Sequence, residues 1–197
     1  MTSTKTHALI VAMSIALTVP AQTAPNKLLP PAVPQGLEVE AGWNPFLVAH
    51  AVGTQNYICA PANTSTGVDW LFIGPQATAF DDLGEQVLTH FQSKNPLRNN
   101  AFHAMWQHSK DTSGIWATRL NGSLDSAYVA PGAIEWLLLE VSGPQVGPTG
   151  GTKLTGTKYI QRVNTAGGVK PPAAECTPQT MNTRKMVDYE ADYYFYK

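Results

Sequence analysis

Residues Lys158–Gly168 read KYIQRVNTAGG, a run of aromatic and β-branched side chains that stops at two glycines. Such a run is a strand followed by a turn. At period two, Ile160, Arg162 and Asn164 share one face, and Tyr159, Gln161 and Val163 share the other. The segment otherwise looks buried, so the guanidinium of Arg162 needs a reason. An unpaired charge inside a protein costs several kcal/mol. Asp188, Glu190 and Asp192 alternate along the last apolar run of the chain, so an Arg–carboxylate tie between the two strands is the expected role. The competing reading has Arg162, with Gln161 or Asn164 nearby, recognising an anion at the mouth of the sheet.

The same pattern extends outward in both directions. Strands are expected at Phe46–Cys59, with Gly53 as a bend or break, and at Val68–Phe80 around Gly74-Pro75. Further strands are expected at Gln86–Phe91, Ala101–His108, Gly114–Leu120, Ile134–Val141, Lys158–Asn164 and Met186–Tyr196. Leu37–Glu40 also alternates. Turn signals separate them: Asp81-Asp82, Asn95-Pro96, Asn121-Gly122, Pro131-Gly132, Gly143-Pro144 and Gly150-Gly151. Phe80–His90 fits either a helical turn after an aspartate cap or a hairpin with its turn at Asp82–Gly84. No long amphipathic helix is visible, which excludes a parallel βαβ architecture. The expected fold is an antiparallel β-sandwich of about eight or nine strands, with a closed antiparallel β-barrel as the alternative.

The first 21 residues stand apart. Lys5 precedes the apolar run Ala8–Val19, which is too short to span a bilayer, and Val19-Pro20-Ala21 supplies a cleavage site. Residues 1–21 are therefore expected to be a signal peptide, 22–36 a Pro-rich extended lead-in, and 37–197 a single β domain. The protein is expected to be exported and soluble, in the periplasm or outside the cell, with no membrane span. Net charge is −1 and only 14% of residues are charged, with no basic run, which argues against nucleic acid as a partner. The two cysteines, Cys59 and Cys176, have no CxxC spacing and are expected to form a disulfide in an oxidising compartment. Closing so long a loop contributes about 4.7 kcal/mol at most in the chain-entropy treatment.

The pieces GTQNYICA, WLFIGPQATAFDDLGEQVLTHF, AMWQHSKDTS, PGAIEWLLLEV, YIQRVNTAGG and ADYYFY occur in the order found in an exported bacterial and fungal family of unknown function, which the chain resembles from about Leu37 to Lys197. Some members of that family are labelled as similar to malate dehydrogenases. The residues here do not support nicotinamide chemistry: the stretches GPQVGPTGG and TAGG precede no helix, so no helix N-terminus is available for a pyrophosphate. The resemblance implies no activity and no cofactor.

His90, His103, His108 and Asp111 form the one cluster that looks like chemistry. His103 and His108 are five apart, hence on opposite faces of a regular strand, and no metal site is expected. Ser109 and Ser113 lie near His108 and Asp111, but no nucleophile elbow is present and no catalytic residue is assigned. Among the five tryptophans, Trp70 and Trp136 read as core, whereas Trp43 and Trp106 have polar neighbours. The expected ligand-binding residues are His90, His103, Trp106, Asp111 and Arg162, facing an unidentified small molecule or glycan. The functional expectation is a binding or structural module of the cell envelope or extracellular space; the alternative is a secreted hydrolase. Alkylation of the native, unreduced protein should label neither Cys59 nor Cys176, and two labelled thiols in a folded sample would refute the crosslink.

Overall fold

The computed structural model describes residues 28–197, so the signal peptide expected at residues 1–21 lies outside the described residues. Period-two alternation governs nearly all of the rest. The strands are β1 (Pro45–Pro61), β2 (Val68–Phe80), β3 (Gln86–Asn95), β4 (Ala101–His108), β5 (Gly114–Ser123), β6 (Trp136–Gln145), β7 (Tyr159–Gly167) and β8 (Arg184–Tyr196). Each is antiparallel to its neighbour, and β8 pairs back onto β1 to close the barrel. The all-β antiparallel expectation holds, and of the two architectures it is the barrel that forms. A sandwich and a barrel share the same alternation; what excludes the sandwich is the β1–β8 pairing, from Pro45 opposite Tyr196 to Ile58 opposite Arg184, which leaves no edge strand.

β1 makes closure possible. It runs through Gly53 without a break, pairing on one side with β2 and on the other with β8. A Cβ on Gly53 would lie 2.2 Å from the Gln76 carbonyl oxygen, so the close approach of β1 and β2 requires glycine here. Phe80–His90 resolves as a hairpin: Asp81 accepts from the Leu83 and Glu85 amides through Oδ1, and β3 starts at Gln86.

The interior is asymmetric. Ala49, Ala51, Ala77 and Ala79 on β1 and β2 form a thin wall, against which Trp106 from β4 and Tyr189, Tyr193 and Phe195 from β8 pack. One end of the barrel is stoppered by the β6–β7 loop, whose Leu154 is fully buried in this interior cluster.

The outside of β6, β7 and β8 is buried as well. Tyr159, Val163, Trp136, Leu138 and Tyr196 pack there with Leu37, which is fully buried, and with Val129 and Ala133. Leu37–Glu40 is thus not a strand but part of a strap laid across the barrel. Gln161, buried on that outer face, donates to the Leu37 carbonyl at 2.6 Å and accepts from the Tyr196 hydroxyl. At the far end Cys59 and Cys176 are bonded, 117 residues apart, inside a small cluster with Tyr57, Val68 and Trp70. The described residues contain short 3₁₀ turns and no α-helix, hence no helix long and apolar enough to cross a membrane.

Across the closing seam, His50 on the outer face of β1 sits in register with Asp192. Its Nδ1 is 2.6 Å from Asp192 Oδ1 and its Nε2 is 2.9 Å from Asp82 Oδ1 in the β2–β3 turn. The Asp82 bond raises the imidazole pKa above 6.5, against burial and with help from Asp192. A raised histidine pKa stabilises fully below its unfolded value and is lost as pH climbs through the folded one. Denaturation midpoints should therefore decline as pH rises past 6.5, and the decline should vanish in His50→Gln. Leu37→Ala should lower stability by about 2–5 kcal/mol, read from urea midpoints, because it opens a cavity under the strap.

Candidate ligand-binding site in the barrel lumen

At the end opposite Leu154, the lumen opens into a cavity of about 280 Å³. Its lining includes Gln55 from β1, His90 from β3, Trp106 from β4, and Arg162 and Tyr193 from β7 and β8. Period two puts them there, since Gln55 shares its face with Ala49 and Ala51, and His90 shares its face with Leu88. The register Arg162–Tyr193 places the arginine beside the tyrosine face of β8, which points into the barrel.

This corrects the expectation for Arg162. Asp188, Glu190 and Asp192 lie on the opposite, outer face of β8 and cannot reach it. A register shift after Val163 turns Asn164 outward, at φ 51°, so it no longer shares a face with Arg162. Asn164 instead donates to Asp192 Oδ2 at 2.8 Å, while His50 takes the other oxygen. The acid expected for Arg162 is thus already occupied.

Half-buried Arg162 donates from Nε at 3.2 Å and from Nη2 at 2.9 Å to the Glu135 backbone carbonyl, and it makes no ion pair among the described residues. A guanidinium carries five N–H groups, so one shared carbonyl leaves most of its donor capacity over. Its charge reaches several neighbours. Burial pushes the phenols of Tyr57, Tyr189 and Tyr193 up, and Arg162 pulls each back.

His90 is fixed in one form. Met105 O can only accept, so His90 Nδ1, 2.9 Å away, carries the proton and Nε2 keeps its lone pair. The ring stacks on Trp106 with centroids 4.0 Å apart and planes 14° apart. Burial drives its pKa down to about 3, with the Met105 bond opposing and the Arg162 charge assisting. Two further donors on lining residues, Gln55 Nε2 and Trp106 Nε1, are buried without a protein partner. Trp116 Nε1 and Trp136 Nε1, which do not line this cavity, are likewise buried without a partner, so what distinguishes the lumen pair is their place on the same cavity as Arg162.

Of the residues singled out from sequence, His90, His103, Trp106 and Arg162 line this cavity. His103 is at the wall, its Nδ1 2.9 Å from Ser142 Oγ. Trp106 is only 1% exposed, so its polar sequence neighbours misplace it. Asp111 is elsewhere. It sits in the β4–β5 turn at the stoppered end, accepting from Ser113 Oγ at 2.7 Å and from the Lys153 amide at 2.7 Å, which pins the loop that carries Leu154. Burial opposes these bonds, yet they hold the Asp111 carboxyl below its usual range. His108 is part of the same turn, and its Nδ1 accepts from the amides of Lys110 and Asp111. The 3.3 Å approach of Asp111 Oδ1 to that nitrogen is therefore a contact between two acceptors rather than an ion pair. Sequence reasoning missed Gln55, Phe72 and Tyr193. The even spacing of Tyr189, Ala191, Tyr193 and Phe195 was the available signal that the tyrosines face inward with Arg162.

Over residues 40–197 the chain matches the family described as "Protein of unknown function (DUF3455)", and it belongs to that family. No curated protein and no solved structure matches it.

The histidines give a direct check on this geometry. In an NMR titration His90 should stay neutral as the Nδ1–H tautomer from pH 8 to 5, while His50 titrates. Because unfolding lets His90 gain a proton, stability should fall as pH drops from 6.5 towards about 3. A His90 ring that titrates near pH 6.5 in the folded protein would contradict its burial on Trp106.

Proposed function

We propose that this member of the family is a binding module that takes a small organic anion into the open end of its barrel, held by Arg162. The observation that carries the reading is the guanidinium without a carboxylate partner, in a cavity whose described lining includes no aspartate or glutamate. Eight-stranded barrels are of the size that either fills with side chains or holds one small ligand. Here the volume is at the small end for small-molecule sites. Charge-assisted bonds from Arg162 would fix the anion, with Gln55 and Trp106 supplying the donors that lack protein partners. His90 Nε2 offers an acceptor for a hydroxyl or amide on the ligand, and Leu137, Leu139 and the Trp106 ring give an apolar bed.

A binding role is favoured over the hydrolase reading by the chemistry of the lining. The cavity has no serine, cysteine or carboxylate among its described lining residues, and its one buried imidazole is held neutral with its proton committed to a backbone carbonyl. A general base needs its lone pair on a nucleophile, and neither hydroxyl of the lining, Thr118 or Tyr193, is hydrogen-bonded to His90. Export to the periplasm or the extracellular space is part of the proposal. It rests on the N-terminal sequence and on the Cys59–Cys176 bond, which belongs to an oxidising compartment.

The test is calorimetric titration with carboxylates, sulfonates and phosphate monoesters of six to eight carbons, beside the matching alcohols. The anions should bind and the alcohols should not. Arg162→Leu should keep the fold, since it leaves no carboxylate unpaired, and weaken anion binding about tenfold to a hundredfold, as expected for hydrogen bonds to a charged group. If no anion binds the parent protein more tightly than the variant, the reading is wrong.

A further inference from the structure

Arg162 belongs to two chambers. Beyond the lumen cavity lies a vestibule of about 470 Å³, and Gln55, Phe72, Leu137 and Arg162 line both. The rest of the vestibule differs in kind from the lumen. Tyr57, Leu124, Ala133, Ile134 and Val169 contribute apolar surface, and its two other charged residues are already satisfied. Glu135 accepts from Arg119 at 2.8 Å, and Lys170 donates to Asp69 at 2.6 Å. The Tyr57 hydroxyl is spent on the Gly168 carbonyl at 2.8 Å. Of the two buried donors without a protein partner, Trp106 Nε1 belongs to the lumen alone and Gln55 Nε2 to the wall the two chambers share; the outer part of the vestibule has none among its described residues. At the vestibule rim Leu124, Phe72 and Val169 are 69%, 50% and 42% exposed, which is high for large apolar groups.

Resting on the anion reading above, we infer that the ligand is an acyl amphiphile that enters head first. Its carboxylate is held on Arg162 among the lumen donors, and its hydrocarbon chain runs outward through the vestibule against Leu124 and Val169. The order of the chambers sets the direction. Polar groups with unused hydrogen-bonding capacity lie in the lumen or on the wall the two chambers share, and apolar groups lie at the mouth. A chain pointing inward would bury hydrocarbon against the free guanidinium N–H groups and Gln55. A chain pointing outward covers the exposed leucine and valine and leaves every donor facing oxygen. The apolar rim thereby acquires a partner of stated chemistry, a saturated or unsaturated acyl chain.

The experiment is a chain-length series, propionate to decanoate, titrated against the parent protein and the variants Leu124→Asp, Val169→Asp and Arg162→Leu. Affinity should rise about three- to fourfold per methylene over the length of the vestibule and then level off. Leu124→Asp and Val169→Asp should weaken decanoate about tenfold and leave propionate unchanged, while Arg162→Leu weakens both. Both rim positions are exposed, so the variants are expected to fold, and thermal melts confirm it. A flat series in which all lengths bind equally and depend on Arg162 would overturn the acyl tail while sparing the anion site. So would chain-length dependence that ignores both rim variants, because the tail would then lie in the lumen. Binding that ignores Arg162 altogether removes both ideas.

Discussion

Everything in this fold hangs on the hydrogen bonding between β1 and β8, the first strand and the last. Without it the other seven pairings make an open, twisted sheet with two edges and no lumen. With it, every strand has two neighbours, and the inward faces enclose a lumen that meets water only at its mouth. The pairing also decides which chemistry is inside. Once Ala49 faces Tyr193 across the seam, β8 must present Tyr189 and Tyr193 inward and its acids outward, and Arg162, in register with Tyr193, is drawn into the lumen without a counter-charge.

The interior follows from a division of volume between strands. β1 and β2 give alanines and one glycine, so the large rings on β4 and β8 can meet near the axis. Trp106 edges against Tyr193 and Phe195, with ring centroids 5.4 and 6.3 Å apart, and stacks on His90. Those rings fill the lumen from the stoppered end up to the level of His90. Above it the side chains no longer close the space, and Gln55, Arg162 and the mouth residues take over. Core and site are successive layers of one barrel rather than separate features.

The strands were legible because their alternation is clean and because Gly, Pro, Asn and Asp mark the turns. Barrel closure was not, since the register between Pro45 and Tyr196 is a contact between the two ends of the domain that no local pattern encodes. The partner of Arg162 was misread because it depends on how two strands align. The β7–β8 register, with Arg162 opposite Tyr193, sets the arginine against the face of β8 that lacks the acids, and no local pattern gives that register; the bulge after Val163 separately turns Asn164 away. Asp111 was grouped with His103 because they are close in the chain, yet β4 carries them to opposite ends of the barrel. Trp106 looked half-exposed beside Gln107 and His108, but Gln107 points to the other face of the strand and His108, on the same face, is itself buried. Gln55 gave no sign at all, as one amide in a long strand reads as surface.

The stopper held by Asp111 and Ser113 has a kinetic meaning. A barrel closed at one end by Leu154 has no through-flow, so whatever occupies the lumen arrives and departs by the same mouth. On- and off-rates then share one bottleneck, and a constriction that makes no contact with the seated ligand would slow both together while leaving the equilibrium constant nearly unchanged. Exchange in such a vessel is paced by its narrowest passage and occupancy by the walls the seated ligand touches, two quantities that evolution can adjust at different residues.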